Sequence, residues 1–305
     1  MIRMTAPAAL VDRLSSKVLI LDGGMGTSLQ ARGLPRGHPP DLWSIERPEE
    51  VRRVHEAFVH AGADIIFTNT FGASRLRLGR NGWGDRVREL NRAAVGLART
   101  ASQGKALVAG DIGPCGQVAA MFRHLSRPEA VSIFAEQIGA LASAGVDLLA
   151  IETISDVEEM EVAVSAARSV SPDLPVLASM TFTKIGRLRS GEGPAAAARA
   201  LEAMGVDIVG ANCSFGFSSL VPICEEMAKA TTLPLAIKPS AGVPPAPSPS
   251  DDEAAKHARQ FVEAGAALVG GCCGIDPATL RTIALAVKGM APFRRFSVTS
   301  SSRDA

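Results

Sequence analysis

Four segments of the chain repeat one short pattern: a helix-like stretch closing at glycine, a linker, then an apolar run. They are Ala61-Gly62-Ala63-Asp64-Ile65-Ile66, Ala144-Gly145-Val146-Asp147-Leu148-Leu149, Met204-Gly205-Val206-Asp207-Ile208-Val209 and Ala264-Gly265-Ala266-Ala267-Leu268-Val269. Glycine ends a helix in the left-handed conformation without a Cβ clash, so each repeat reads as a helix-to-strand joint. Four further apolar runs lack the joint but read equally as strands: Val18 to Asp22, Ala106 to Gly110, Pro175 to Met180 and Pro234 to Lys238, which brings the total to eight. The segments between are long enough for helices, as in Pro48 to His60, where Val51, Val54, Phe58 and Val59 fall at helical spacing, and in Pro128 to Ala144. Alternation of strand and helix makes the strands parallel. Buried runs on every strand leave no sign of a sheet edge, so the pattern predicts an α/β chain folded as a single (β/α)8 TIM barrel, with an open doubly wound sheet as the runner-up. The barrel is expected over residues 1–292 and a disordered tail over 293–305.

Composition narrows the partners. A formal net charge of +1, with acidic and basic residues interspersed, gives no electrostatic footprint for nucleic acid or an anionic membrane. No apolar run reaches the roughly 18 residues of a membrane span, and Met1 to Leu10 lacks the blocks of a signal peptide. A cytoplasmic protein with a small-molecule substrate is the expectation. Five cysteines, an odd count, suit thiolate chemistry better than a disulfide framework. Cys115 and Cys224 read as plain core or near-surface thiols.

In a parallel barrel the chemistry sits at the C-terminal strand ends. Here those ends are Asp22-Gly23-Gly24-Met25-Gly26-Thr27, Thr68-Asn69-Thr70-Phe71-Gly72, Glu152-Thr153, Asn212-Cys213-Ser214, Lys238-Pro239-Ser240-Ala241-Gly242 and Cys272-Cys273-Gly274. Three thiols at such positions suit zinc, and three protein ligands with one open position is the catalytic rather than the structural pattern. No fourth ligand is evident: there is no CxxC pair, and none of His38, His55, His60, His124 and His257 falls at a predicted strand end. Neighbours in a regular strand face opposite ways, so Cys272 and Cys273 share an ion only if the backbone turns there, which Gly270, Gly271 and Gly274 permit. Two buried apolar cysteines or a vicinal disulfide are the alternatives.

Asp22 and Glu152 are carboxylates whose burial requires a cation, and a substrate ammonium would serve. Asp22 as a turn cap and Glu152 paired with an arginine are the plainer readings. Gly23, Gly24 and Gly26 offer N–H groups to a carboxylate or phosphate. Thr70 reads as a hydroxyl donor or a satisfied turn residue, Phe71 as pocket wall or core, and Trp43 as a roof or packing. Val243 to Pro249 reads as a stiff extended loop over this face. Two other functions compete: a Schiff-base lyase using Lys238, and a non-catalytic zinc–thiol redox sensor.

The Asp22–Thr27, Thr68–Phe71, Gly210–Ser214 and Gly270–Gly274 runs, in their order and spacing, resemble the homocysteine S-methyltransferase family, over residues from about 15 to about 290. That family includes the homocysteine-binding module of cobalamin-dependent methionine synthase and the betaine- and S-methylmethionine-using enzymes. The resemblance implies a zinc barrel with Cys213, Cys272 and Cys273 as ligands, and Asp22 and Glu152 receiving the homocysteine amino group. Backbone near Gly23 and Thr70 would help hold its carboxylate, with Phe71 beside it. It further implies a zinc-activated substrate thiolate that attacks a methyl group without a general base, giving methionine. The chain has no tyrosine, which argues against betaine. It shows no cobalamin- or folate-binding extension, so the expected donor is S-methylmethionine, S-adenosylmethionine or a separate methylcorrinoid protein. Ser240 stands where methionine-synthase-like relatives carry asparagine.

Overall fold

The protein is described by a computed structural model over residues 8–115, 125–214, 216–242 and 249–292. Strands β1 (Leu19–Ile20), β2 (Ile65–Phe67), β3 (Leu107–Ile112), β4 (Leu148–Ile154), β5 (Val176–Met180), β6 (Ile208–Cys213), β7 (Leu235–Pro239) and β8 (Leu268–Val269) alternate with helices. The barrel helices are α1 (Pro48–Ala61), α2 (Val87–Ser102), α3 (Arg127–Ser143), α4 (Val157–Val170), α5 (Pro194–Ala203), α6 (Phe217–Ala230), α7 (Asp251–Ala264) and α8 (Pro277–Ala286). All strand pairs are parallel, in the order β1-β8-β7-β6-β5-β4-β3-β2. The two ends of that order meet: Leu21 bridges Ile65, Asp64 N–H donates to Ile20 O at 2.7 Å, and Asp22 N–H donates to Ile65 O at 3.0 Å. The sheet therefore closes into a (β/α)8 barrel, and the open-sheet alternative is excluded.

The repeated joints explain much of this. Gly62, Gly145, Gly205 and Gly265 all have φ between +76° and +120°, the left-handed region where a side chain is strained. The aspartate two residues beyond three of those glycines ties neighbouring elements together. Asp64 accepts from Ile20 N–H, Asp147 from Val108 N–H and Asp207 from Val176 N–H, at 2.7 to 3.0 Å. Each also meets a cation: Lys17, Arg99 and Arg168 respectively. These are structural carboxylates with both kinds of partner.

Side chains alternate along each strand between two apolar clusters. Leu19, Leu21, Ile65, Phe67, Ala109, Leu148, Ala150, Leu177, Ile208, Ala236 and Leu268 pack together inside the barrel, while Ile20, Ile66, Val108, Leu149, Val209 and Ile237 pack outward against the helices. Leu10 and Leu14 of the helix Ala8–Ser16 join the inner cluster, so this helix closes one end of the barrel. Burying a leucine or isoleucine of this kind is worth about 1.5–3 kcal/mol. No helix among the described residues is long and apolar enough to cross a membrane. The expected tail at 293–305, most of the Val243 to Pro249 loop (243–248) and His124 lie outside the described residues.

Candidate metal and substrate site

Continuing the inward alternation past the last apolar residue of each strand places a polar group at the open end of the barrel. After Ala109 comes Asp111, after Ala150 Glu152, after Leu177 Ser179, and after Ala236 Lys238; past a glycine, Ile208 leads to Asn212 and Leu268 to Cys272. Above this layer lies a cavity of about 280 Å³, whose wall includes Asp22, Asp41, Phe71, Arg77, Asp111, Glu152, Lys238 and the three site cysteines.

The sulfurs of Cys213, Cys272 and Cys273 lie within 4.8 Å of one another. Two loops are shaped to bring them there. Cys213 and Ser214 take φ of 59° and 52°, which turns Cys213 out of the β6 alternation at a backbone cost of order 1 kcal/mol per residue. Gly274 at φ 79° turns the chain after Cys273. The end of β7 fastens both loops: Ser240 N–H donates to Cys213 O, Ala241 N–H to Cys273 O and Cys272 N–H to Pro239 O. Asn212 braces the same region, accepting from Thr153 N–H (3.0 Å) and Ser179 Oγ (2.8 Å) while donating to Thr153 Oγ1 (2.7 Å) and to the Cys272 sulfur (3.8 Å). Thr153 is itself held at φ 62°, a costly state for a β-branched residue. All five cysteines are free thiols, which removes the vicinal-disulfide alternative. Hydrogen bonds from Cys213 and Cys272 pull the Cys273 thiol down to about 3, and the same contacts push Cys213 up.

Beside the thiols sits a buried ionic cluster. Lys238 Nζ donates to Glu152 Oε2 at 3.0 Å, stands 3.6 Å from Asp22 Oδ1 and lies 3.4 Å over the Phe67 ring. The cation beside Asp22 and Glu152 is therefore the chain's own lysine, where the sequence pointed to a substrate ammonium, a turn cap or an arginine. Burial raises Asp22 to about 7 against the opposing pull of Lys238 and of the Phe67 N–H, which donates to Asp22 Oδ2 at 2.7 Å. Burial also raises Glu152, again opposed by Lys238. For Lys238 itself burial acts downward, but Glu152 and Asp22 outweigh it and hold the ammonium charged. A Schiff-base nucleophile must be a free amine, so the lyase alternative loses its footing.

Other expectations fare variously. Phe71 is on the cavity wall, with the Arg77 guanidinium 4.9 Å from its ring centre. Thr70 is fully engaged: its N–H goes to Thr68 O and its hydroxyl donates to Asp111 O at 2.7 Å. Gly23 and Gly24 allow close approach of the Cys272–Ile275 turn; a Cβ on Gly24 would sit 2.8 Å from Cys272 O, and the Gly24 N–H is given to Ile275 O. Trp43 is not a roof but part of the core. The Ser240 hydroxyl donates to Cys273 O and accepts from Gly242 N–H, so it shapes the cysteine loop rather than facing the sulfurs. Cys115 and Cys224 are buried. Sequence reasoning passed over Asp111, Asp41 and Arg77; counting inward positions in twos along β3 would have found Asp111.

A closed parallel barrel presents three thiols and a carboxylate–ammonium cluster at its C-terminal strand ends, the face on which barrel enzymes carry their chemistry. The sequence profile described as homocysteine S-methyltransferase matches residues 19–287, and the chain belongs to that family. Methionine synthase of Mycobacterium tuberculosis is 31% identical over 303 residues, covering 91% of this chain and 25% of that protein. Methionine synthase of Mycobacterium leprae is 29% identical with the same coverage, so the chain spans about a quarter of the length of these relatives. The metallated form of the homocysteine methyltransferase MmuM from Escherichia coli superposes with a TM-score of 0.77 at 28% identity, covering 90% of this chain and 98% of that one.

Proposed function

We propose that the protein transfers a methyl group from an activated donor to the sulfur of homocysteine, forming methionine, at a zinc ion held by Cys213, Cys272 and Cys273. The observation that carries this reading is the thiol triangle. Sulfurs bound to one tetrahedral zinc at about 2.3 Å lie about 3.8 Å apart, and all three here fall within 4.8 Å of one another on two loops already fastened together. Three soft donors and no protein imidazole among them fit zinc. When bound, the metal supplies the positive charge that keeps a thiol ionised at neutral pH.

The chain's own residues do the rest. Asp22 and Glu152 offer carboxylate oxygens to the homocysteine amino group, and Lys238 keeps that cluster from carrying uncompensated charge before substrate enters. Phe71 and the walls around Gly23 and Thr70 enclose the carbon chain and carboxylate. The substrate's thiol proton leaves to solvent; the sulfur then forms its bond to the methyl carbon as the donor's bond to that carbon breaks. No side chain has to accept a proton in that step. Four acids and two bases among the wall residues, Asp22, Asp41, Asp111 and Glu152 against Arg77 and Lys238, favour a cationic donor such as S-methylmethionine or S-adenosylmethionine.

The test pairs metal analysis of wild type and Cys273→Ala with a panel of S-methylmethionine, S-adenosylmethionine, methylcobalamin and betaine against homocysteine. One zinc per wild-type chain, loss of metal in the variant and methionine formed from a sulfonium are expected. Full metal retention by Cys273→Ala, or no methionine from any donor, contradicts the reading.

A further inference from the structure

Among the described residues, two buried carboxylate oxygens at the cavity have no hydrogen-bond partner: Asp22 Oδ1 and Asp111 Oδ1. Asp111 is 92% buried, its residue keeping 8% exposure, and it forms part of the cavity wall. The structural carboxylates elsewhere in the barrel each accept a backbone N–H and meet a cation. Among the described residues the Asp111 carboxylate accepts no backbone N–H and forms no ion pair, although its backbone is firmly held. Its N–H donates to Thr68 Oγ1 at 3.0 Å, and its carbonyl accepts from Thr70 Oγ1 at 2.7 Å and from Gln137 Nε2 at 3.4 Å. A pinned main chain carrying an unpaired buried carboxyl is costly to ionise unless something cationic completes it.

Among the described residues no cation forms an ion pair with Asp111; the charge of Arg77, also on the cavity wall, acts on Asp41. Lys238 is committed to Glu152 and to Asp22, leaving three carboxylates around one ammonium. We propose that Asp111, with Asp22, receives the α-ammonium group of the incoming amino acid, so that the cavity selects α-amino thiols over thiols lacking the amine. The inference rests on the homocysteine reading above and deepens it: Asp111 is assigned as a substrate-contacting residue, while Thr70 and Gln137 position it. Burial and the neighbouring Glu152 and Asp22 push the Asp111 carboxyl well above its ordinary range, against the opposing pull of Lys238. Thr70 thereby gains a role that needs no contact with substrate.

The experiment is equilibrium binding by calorimetry, on the full-length metal-loaded protein, of L-methionine and of its deamino counterpart. Wild type, Asp111→Asn and Asp111→Ser are compared, the second variant guarding against a folding defect peculiar to the first. Loss of a hydrogen bond to a charged group predicts that both substitutions weaken L-methionine by about 10- to 100-fold. The deamino compound, already weaker on wild type, should change by less than about twofold. Equal weakening of both compounds, or no weakening of L-methionine, overturns the assignment. Should wild type neither bind L-methionine nor methylate homocysteine, the homocysteine reading itself falls; wild-type binding with no amine-specific loss sinks only the role of Asp111.

Discussion

Neutralising Asp22 should stabilise the protein, by an amount that grows with pH. The carboxyl is raised from 3.8 to about 7, burial being the largest cause, with Lys238 and the Phe67 N–H opposing it. A folded-state value above the unfolded one means that the native protein holds a proton that the unfolded chain has already released. Native stability therefore falls as pH rises from about 4 to about 7, and the whole cost is present above that. At about 1.4 kcal/mol per unit, a shift of this size is worth about 4 kcal/mol. Asp22→Asn removes the ionisation. Its carbonyl can keep the Phe67 N–H, but its amide then faces Lys238, so we expect a net gain of about 2–4 kcal/mol at about pH 8, shrinking to near zero at about pH 4. Urea unfolding across that range measures it, as a raised midpoint with an unchanged slope. A variant equal to or weaker than wild type at the alkaline end, or a difference that does not vary with pH, would refute the reasoning. Homocysteine methylation should meanwhile fall, the usual trade of stability against function at such a site.

Lys238→Met leaves Glu152 and Asp22 buried without their cation and should cost about 3–5 kcal/mol near neutral pH by the same urea assay, with the deficit narrowing in acid as the carboxyls protonate; a variant as stable as wild type would remove the lysine from the account. His55 is buried with both ring nitrogens unpartnered and is depressed from 6.5 to about 3 by burial. The unfolded chain takes up that proton first, so wild type should lose stability as pH falls from about 6.5 toward about 3. His55→Leu should flatten that part of the acid limb; an unchanged limb would contradict the assignment.

Much of the fold was legible because its punctuation is local. The glycine joints, the apolar runs and the helix over residues 48–60, found as Pro48–Ala61, depend on neighbours in sequence. The cysteines were legible because a glycine-framed pair and an upstream thiol each follow such a run. What escaped was what only closure of the barrel creates. Lys238 and Glu152 are 86 residues apart and on non-adjacent strands, so nothing local announces their contact. The turn at Cys213 was also hidden, since the backbone there adopts positive φ without a glycine to mark it. The aspartates beside the joint glycines were visible as a repeat, but their purpose required the neighbouring strand and a basic residue outside the repeat. Asp111 escaped for a simpler reason: the apolar run of β3 was closed at Gly110, one residue before the inward alternation delivers its carboxylate.

In the proposed site three protein sulfurs hold one metal whose remaining position receives the substrate's sulfur. X-ray absorption at the zinc edge, recorded on the purified protein before and after addition of L-homocysteine, tests it most directly. Three sulfurs at about 2.3 Å and one lighter atom are expected without homocysteine, and four sulfurs once it is bound. A sulfur count that stays at three while binding of homocysteine is independently demonstrated, or one below three at the start, would contradict it.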